Sequence, residues 1–205
     1  MTLRSVVAGL VLTALGVILL ALSHDLRGWD RALAEGDGGF ERRPAGARWS
    51  ASSWLPGDPV RDALAVDDDL RLRRAVQAYA IAAGMTPGLD NGARQARTRA
   101  AAEIALADVT ASGSSTQASQ AGNLLGVLVA TADRAPDAAA TEDRAGETFG
   151  TAIRADPENA DAKYNLELIL RRIRVVGVRE GPANAAGNRG DSRRGAGSGA
   201  PGSGY

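Results

Sequence analysis

The chain has no cysteine among its 205 residues. A disulfide framework and a thiolate metal site are therefore excluded, although this absence does not fix the compartment. It has one histidine, His24, which borders an N-terminal apolar run. No histidine is left for a catalytic triad or a His-Glu helical metal motif in the remaining chain. Lys163 is the only lysine, and no glycine-rich loop ends in Gly-Lys-Ser/Thr, so a phosphate-cradling nucleotide loop is absent. Formal net charge is zero, which argues against a general nucleic-acid binder. Aromatic residues make up only 4%. A core must then come from Ala, Leu, Val and Ile, which favours close helix packing over a sheet sandwich. Acidic pairs such as Glu142-Asp143 read as a solvated helical face rather than acid–base machinery. The expectation is a protein that is not an enzyme and uses no cofactor and no metal.

The longest apolar run is Ser5 to Ser23, uncharged and rich in Val, Leu, Ile and Ala. As a helix it spans about 28 Å, enough for a bilayer core. Arg4 and the N-terminal amine precede it, and His24-Asp25 follow. The positive-inside rule then places the N-terminus in the cytoplasm and everything after Ser23 outside. The expected localisation is single-pass in the cytoplasmic membrane, with the soluble domain extracytoplasmic. A cleaved signal peptide is the alternative, with Ala21-Leu22-Ser23 as the cleavage site.

Residues 24–66 read as an irregular linker. Gly36-Asp-Gly-Gly39, Arg42-Arg43-Pro44 and Trp54-Leu-Pro-Gly-Asp-Pro59 argue against a long helix after Gly36. Trp29, just past the apolar run, is expected at the lipid interface. Trp49 and Trp54 either dock this segment onto the helical part or contact a partner.

Residues 67–174 read as the helical domain. Asp67-Asp68-Asp69 open a helix to about Gly84, where carboxylates favour the positive end of the macrodipole and can cap free N–H groups. A cation site there lacks the alternating ligands and glycine of a calcium loop. A second helix runs from Asn91 to about Ala111, with Ala96, Ala100, Ile104 and Ala107 as its stripe. Ser112-Gly-Ser-Ser-Thr116 breaks the chain. A third helix runs to about Asp133, with Ala121, Leu124, Leu125, Leu128 and Val129 apolar and Gly126 where another helix crosses closely. Ala135-Pro136 end it. A fourth helix covers Glu142 to Ala155. The fifth runs from Ala160 to about Arg174, with Leu166, Leu170 and Ile173 buried. Residues 175–205 are rich in Gly, Ala, Ser, Asn and Arg, lack a core's apolar residues, and read as a disordered tail. Arg189-Gly-Asp191 in that tail is read as coincidence.

Ala145, Phe149, Ala152 and Pro157 are spaced by four, three and five residues. Small residues on one helical face let a second helix approach, Phe149 fills the groove, and Pro157 forces a turn. Followed by Ala160-Asp-Ala-Lys-Tyr-Asn-Leu166, this run resembles the second helix of a tetratricopeptide repeat and the first helix of the next. Ala75, Tyr79, Ala82 and Pro87 repeat the spacing. The resemblance implies an all-α fold of tetratricopeptide-like antiparallel helical hairpins, joined to one N-terminal transmembrane helix. In such repeats the first helix of each pair lines a concave groove. This places Asp161, Tyr164, Asn165, Leu168 and Arg172 on the groove side of the fifth helix. Gln120, Asn123 and Val127 take similar places on the third. These amides, Tyr and Arg suit the backbone or a carboxylate of an extended peptide. Equally, Tyr164 and Asn165 would serve to stabilise the helix junction.

Ala155-Asp-Pro-Glu-Asn159 with Ala160-Asp-Ala-Lys-Tyr-Asn-Leu-Glu-Leu168 resembles the repeat signature of small membrane proteins encoded with MoxR-type AAA+ ATPases and von Willebrand A-domain proteins. The aerotolerance-operon repeat protein is their best-known type. The match covers about Glu142 to Arg172, with Lys163 and Glu167 where general repeats carry Trp and Gly. It implies a scaffold that binds a von Willebrand A-domain membrane protein. The other functions held open are a secreted or anchored module for a small ligand or cell-wall fragment, and a hydrolase using acidic residues.

Overall fold

A computed structural model describes residues 3–86, 91–132 and 138–179 of the chain. Among these residues there are seven α-helices and no strand. They are α1 (Leu3–Arg42), α2 (Pro59–Ala63), α3 (Val66–Ala83), α4 (Gly92–Ser112), α5 (Ser115–Ala130), α6 (Ala138–Ala155) and α7 (Ala160–Arg179). The all-helical expectation holds. Pro87, Ala135-Pro136, residues 180–205 and the Arg189-Gly-Asp191 tripeptide lie outside the described residues. Residues 175–179, expected in the tail, continue α7.

α1 is one helix of 40 residues. It is long and apolar enough to cross a membrane, and Val6, Leu10, Leu12 and Leu20 on its first half are exposed. Its second half corrects the linker expectation, because residues 24–42 are helical. Each glycine between 36 and 39 costs helix stability of about 1 kcal/mol. Tertiary contacts offset that cost. The Trp49 indole lies where a Cβ on Gly36 would be, and Trp49 Nε1 donates to Asp37 Oδ1 at 2.8 Å. Arg73 of α3 donates to the same carboxylate through Nε at 2.9 Å and Nη2 at 3.1 Å. Those bonds hold the Asp37 carboxyl below its ordinary pKa. Glycine at position 36 is thus a requirement of close packing rather than a helix stop.

After a single 3-10 turn at Pro44–Gly46, residues 47–55 run back along α1 as a strap. Gln77 of α3 donates through Nε2 to the Pro44 and Ala47 carbonyls at 2.6 and 3.1 Å. Ser52 passes Gly28, and residues 53–55 reach Asp25. Trp29, Ala47, Trp49, Val60, Val66 and Leu70 form the core this creates. Trp29 is therefore not an interfacial residue. It is 4% exposed, and its Nε1 donates to Asp58 Oδ2 at 3.0 Å. Trp49 docks the segment, whereas Trp54 is 68% exposed and stacks on His24 with ring centroids 3.9 Å apart.

α3 to α7 form two layers. α5 packs on its chain neighbours α4 and α6 and also on α3 and α7, so α3, α5 and α7 make one layer and α4 and α6 the other. Phe149 on α6 is 1% exposed, with Ala145 and Ala152 fully buried beside it. A Cβ on Gly126 would lie 2.5 Å from its ring, so Gly126 is the close-crossing point that the spacing anticipates. The second copy of that spacing, Ala75-Tyr79-Ala82, lies on α3 in the layer opposite α6. Ala75 is buried there, and Tyr79 and Ala82 pack beside it against α4 and α5.

The expected stripe of α4 is turned. Ala96, Ala100, Ile104 and Ala107 face outward, Ile104 being 71% exposed, while Ala102, Leu106 and Val109 are buried. On α7, Leu166 and Ile173 pack on the core as expected, beside the buried Ala162 and Ile169, while Leu170 is 50% exposed. Asp67, Asp68 and Asp69 cap no N–H group. They pair with Arg61, Arg71 and Arg73, respectively.

Candidate functional site

The turn from α6 to α7 positions the site. Pro157 stops α6, and the Asp156 side chain accepts the Glu158 amide at 3.0 Å, which closes a local turn. Asn159 then caps α7: its Oδ1 accepts the Ala162 amide at 2.9 Å. Its Nδ2 donates to Ser119 Oγ of α5 at 2.8 Å, and Ser119 is fully buried. One side chain thus starts α7 and fixes it to α5. α5 has its own cap, in which Ser114 and Gln117 satisfy each other's backbone N–H reciprocally.

Gln120, Asn123, Asp161, Asn165, Leu168 and Arg172 line hollows on the α5–α7 face. One turn further along, Asn165 Nδ2 donates to Asn123 Oδ1 at 2.9 Å. This bond divides the α5–α7 face into two hollows. The first, of about 500 Å³, is lined by Gln120, Asn123 and Asp161 together with Val76, Asp156 and Asn159. The second, of about 400 Å³, is lined by Asn165, Leu168 and Arg172 with Val127, Thr131 and the Phe149 edge. Six of the seven expected site residues therefore line one continuous face. Tyr164 lies outside both hollows and is 62% exposed.

The two hollows differ in chemistry. The first presents carboxylates and amides; the second presents Leu168, Ile169 and Val127 beside the Arg172 guanidinium. Asn165 has its N–H used within the domain, so it braces the helix junction as well as facing the groove. Asn165 Oδ1 and Asn123 Nδ2 have no partner among the described residues and remain available to a bound peptide. Asn159 and Asp156 were legible only as turn residues. Their place in the hollow follows from the Asn159–Ser119 bond, which no spacing announces. Val76 comes from α3, and only the layering of α3 on α5 brings it to the site.

Comparison with protein-family models, curated proteins and solved structures finds no match to this chain.

Proposed function

We propose that the protein is a membrane-anchored adaptor, without catalytic activity of its own, that binds a protein partner along the α5–α7 face. The supporting observation is the pair of hollows flanking the Asn123–Asn165 bond, with exposed Leu168 and Tyr164 beside them. Apolar anchors next to unsatisfied amides and an arginine suit an extended peptide or a loop. The alternation of layers is compatible with tetratricopeptide-like hairpins, whose inner helices would be α3, α5 and α7. The resemblance of residues 155–168 makes a von Willebrand A-domain membrane protein the partner class to test, in a system driven by a MoxR-type ATPase. In this reading α1 crosses the cytoplasmic membrane and the helical domain is extracytoplasmic. Arg4 and the amine on one side face Arg27 and Arg31 on the other, so charge is nearly balanced across the span and orientation calls for direct measurement.

The test is crosslinking and recovery from native membranes with the full chain. Tyr164→Ala/Leu168→Ala should reduce partner recovery about tenfold while leaving the melting temperature unchanged. This pair is cleaner than Asn165→Ala, which also removes the bond to Asn123. Undiminished recovery would reject the groove assignment. A second reading rests on the first hollow alone, whose volume and polar lining suit a small polar ligand. A saturable thermal shift with cell-wall fragments in the absence of any protein partner would favour it.

A further inference from the structure

Where α1 leaves its apolar run, the returning strap encloses a hollow of about 550 Å³. Its lower rim is Leu20, 72% exposed and continuous with the apolar half of α1. Above Leu20, the helix contributes Ser23, His24, Arg27 and Arg31, spaced so that they share one face. The strap contributes Ser50 and Ser52 from the opposite side. Arg27 and Arg31 are exposed, and neither makes a hydrogen bond or ion pair among the described residues. Glu35, at the upper end, is the one carboxylate on the lining and lies one turn beyond Arg31.

Depth selects the ligand. Arg27 is about 6 Å and Arg31 about 12 Å along the helix beyond Ser23, and the headgroup layer occupies roughly 5–8 Å outside the hydrocarbon. Side chains on a helix lean toward its N-terminus, here toward the bilayer, so both guanidiniums reach down to that layer. Guanidinium binds phosphate oxygens in bidentate fashion, and serine hydroxyls donate to the remaining ones. Trp54, stacked on His24 and exposed at the same level, is the amphipathic ring expected at a membrane interface.

We propose that this hollow is a lipid-headgroup site, in which the phosphate of a membrane phospholipid sits between Arg27, Arg31 and the strap serines while its acyl chains lie along Leu20 and the apolar half of α1. The site rests on the reading that α1 spans the membrane. It docks the strap against the bilayer and fixes how the helical domain stands above it.

The test uses the full chain in mild detergent, with lipid adducts read by native mass spectrometry. Dioleoylphosphatidylglycerol should be retained, and dioleoylglycerol, with the same chains and no phosphate, should be lost. Arg27→Gln/Arg31→Gln should weaken phosphatidylglycerol retention roughly tenfold or more, and Arg27→Lys/Arg31→Lys, which keeps the charge but loses the bidentate fork, should fall between the glutamine pair and the wild type. Ser50→Ala/Ser52→Ala, which leaves charge unchanged, should weaken it by a few-fold. Equal retention of the two lipids, or full retention by the glutamine pair, would overturn the site. Binding of glycerol 3-phosphate as tight as that of the lipid would assign a free phosphate ligand and overturn the lipid source. Alkaline extraction separates this from the anchoring reading: release of the chain rejects the span, whereas an embedded chain that does not discriminate the lipids rejects only the site.

Discussion

At Gly126 an added methyl would meet the Phe149 ring at 2.5 Å. In an ordinary helix Gly→Ala stabilises by about 1 kcal/mol. Here overpacking reverses the sign, and Gly126→Ala should destabilise by about 1–3 kcal/mol. Thermal melts of the full chain in detergent check this, and a raised melting temperature would show that α5 and α6 can separate without cost. Asp25 makes the second prediction at this scale. It is 1% exposed and accepts from Ser53 Oγ at 2.6 Å, the Trp54 amide at 2.8 Å and the Leu55 amide at 3.3 Å. The Ser53 hydroxyl first, then the Trp54 and Leu55 amides, hold its pKa down to about 2 against the burial that raises it. A carboxyl whose folded pKa lies below its unfolded value stabilises the fold fully above the unfolded value, near 4. That stabilisation is lost as pH falls toward 2. Asp25→Asn should therefore melt below the wild type at pH 6, and the gap should narrow between pH 4 and 2. A gap independent of pH would mean that the carboxylate charge is not what holds the strap.

The element that departs most from its sequence pattern is the second half of α1. Its glycines signal a stop, and that inference is correct for a helix standing alone in water. It fails because Gly36 admits the Trp49 indole and because Asp37 ties the helix to Arg73. Trp49→Ala should loosen this half selectively, with faster amide hydrogen exchange across residues 30–42 and little change in α5 to α7. Uniform protection in the variant would show that the glycine-bearing turns need no strap. The stripe of α4 failed for a different reason. Alanine is so frequent that several faces of α4 satisfy a helical period, and Ile104 drew the stripe to the wrong one; on α7 only Leu170 departs, while Leu166 and Ile173 pack on the core. In α6, Phe149 between Ala145 and Ala152 offered a single bulky residue, and there the expected face is the buried one.

For the whole molecule, the absence of cysteine makes orientation directly measurable. Single cysteines placed at Thr2 and at Asp143 of the full chain should react with a membrane-impermeant maleimide in intact cells only at the position outside. With the helical domain extracytoplasmic, Asp143→Cys labels and Thr2→Cys does not. The opposite pattern would place the α5–α7 face in the cytoplasm and redirect the search for its partner.

The sequence alone determined the helical class, an N-terminal helix long and apolar enough to cross a membrane, and the α6–α7 junction, and it named six of the residues that line the two hollows. Each is a local property: hydrophobic period, run length, a proline with its capping asparagine, and side chains at fixed helical spacing. The tertiary structure decided what depends on which surfaces meet. It extended α1 past its glycines, moved Trp29 into the core and Trp54 to the edge of the apolar span, and joined Asn123 to Asn165. It also brought the strap serines opposite Arg27 and Arg31. These outcomes turn on contacts between segments distant in the chain, and such contacts can outweigh the roughly 1 kcal/mol of local preference at a single position.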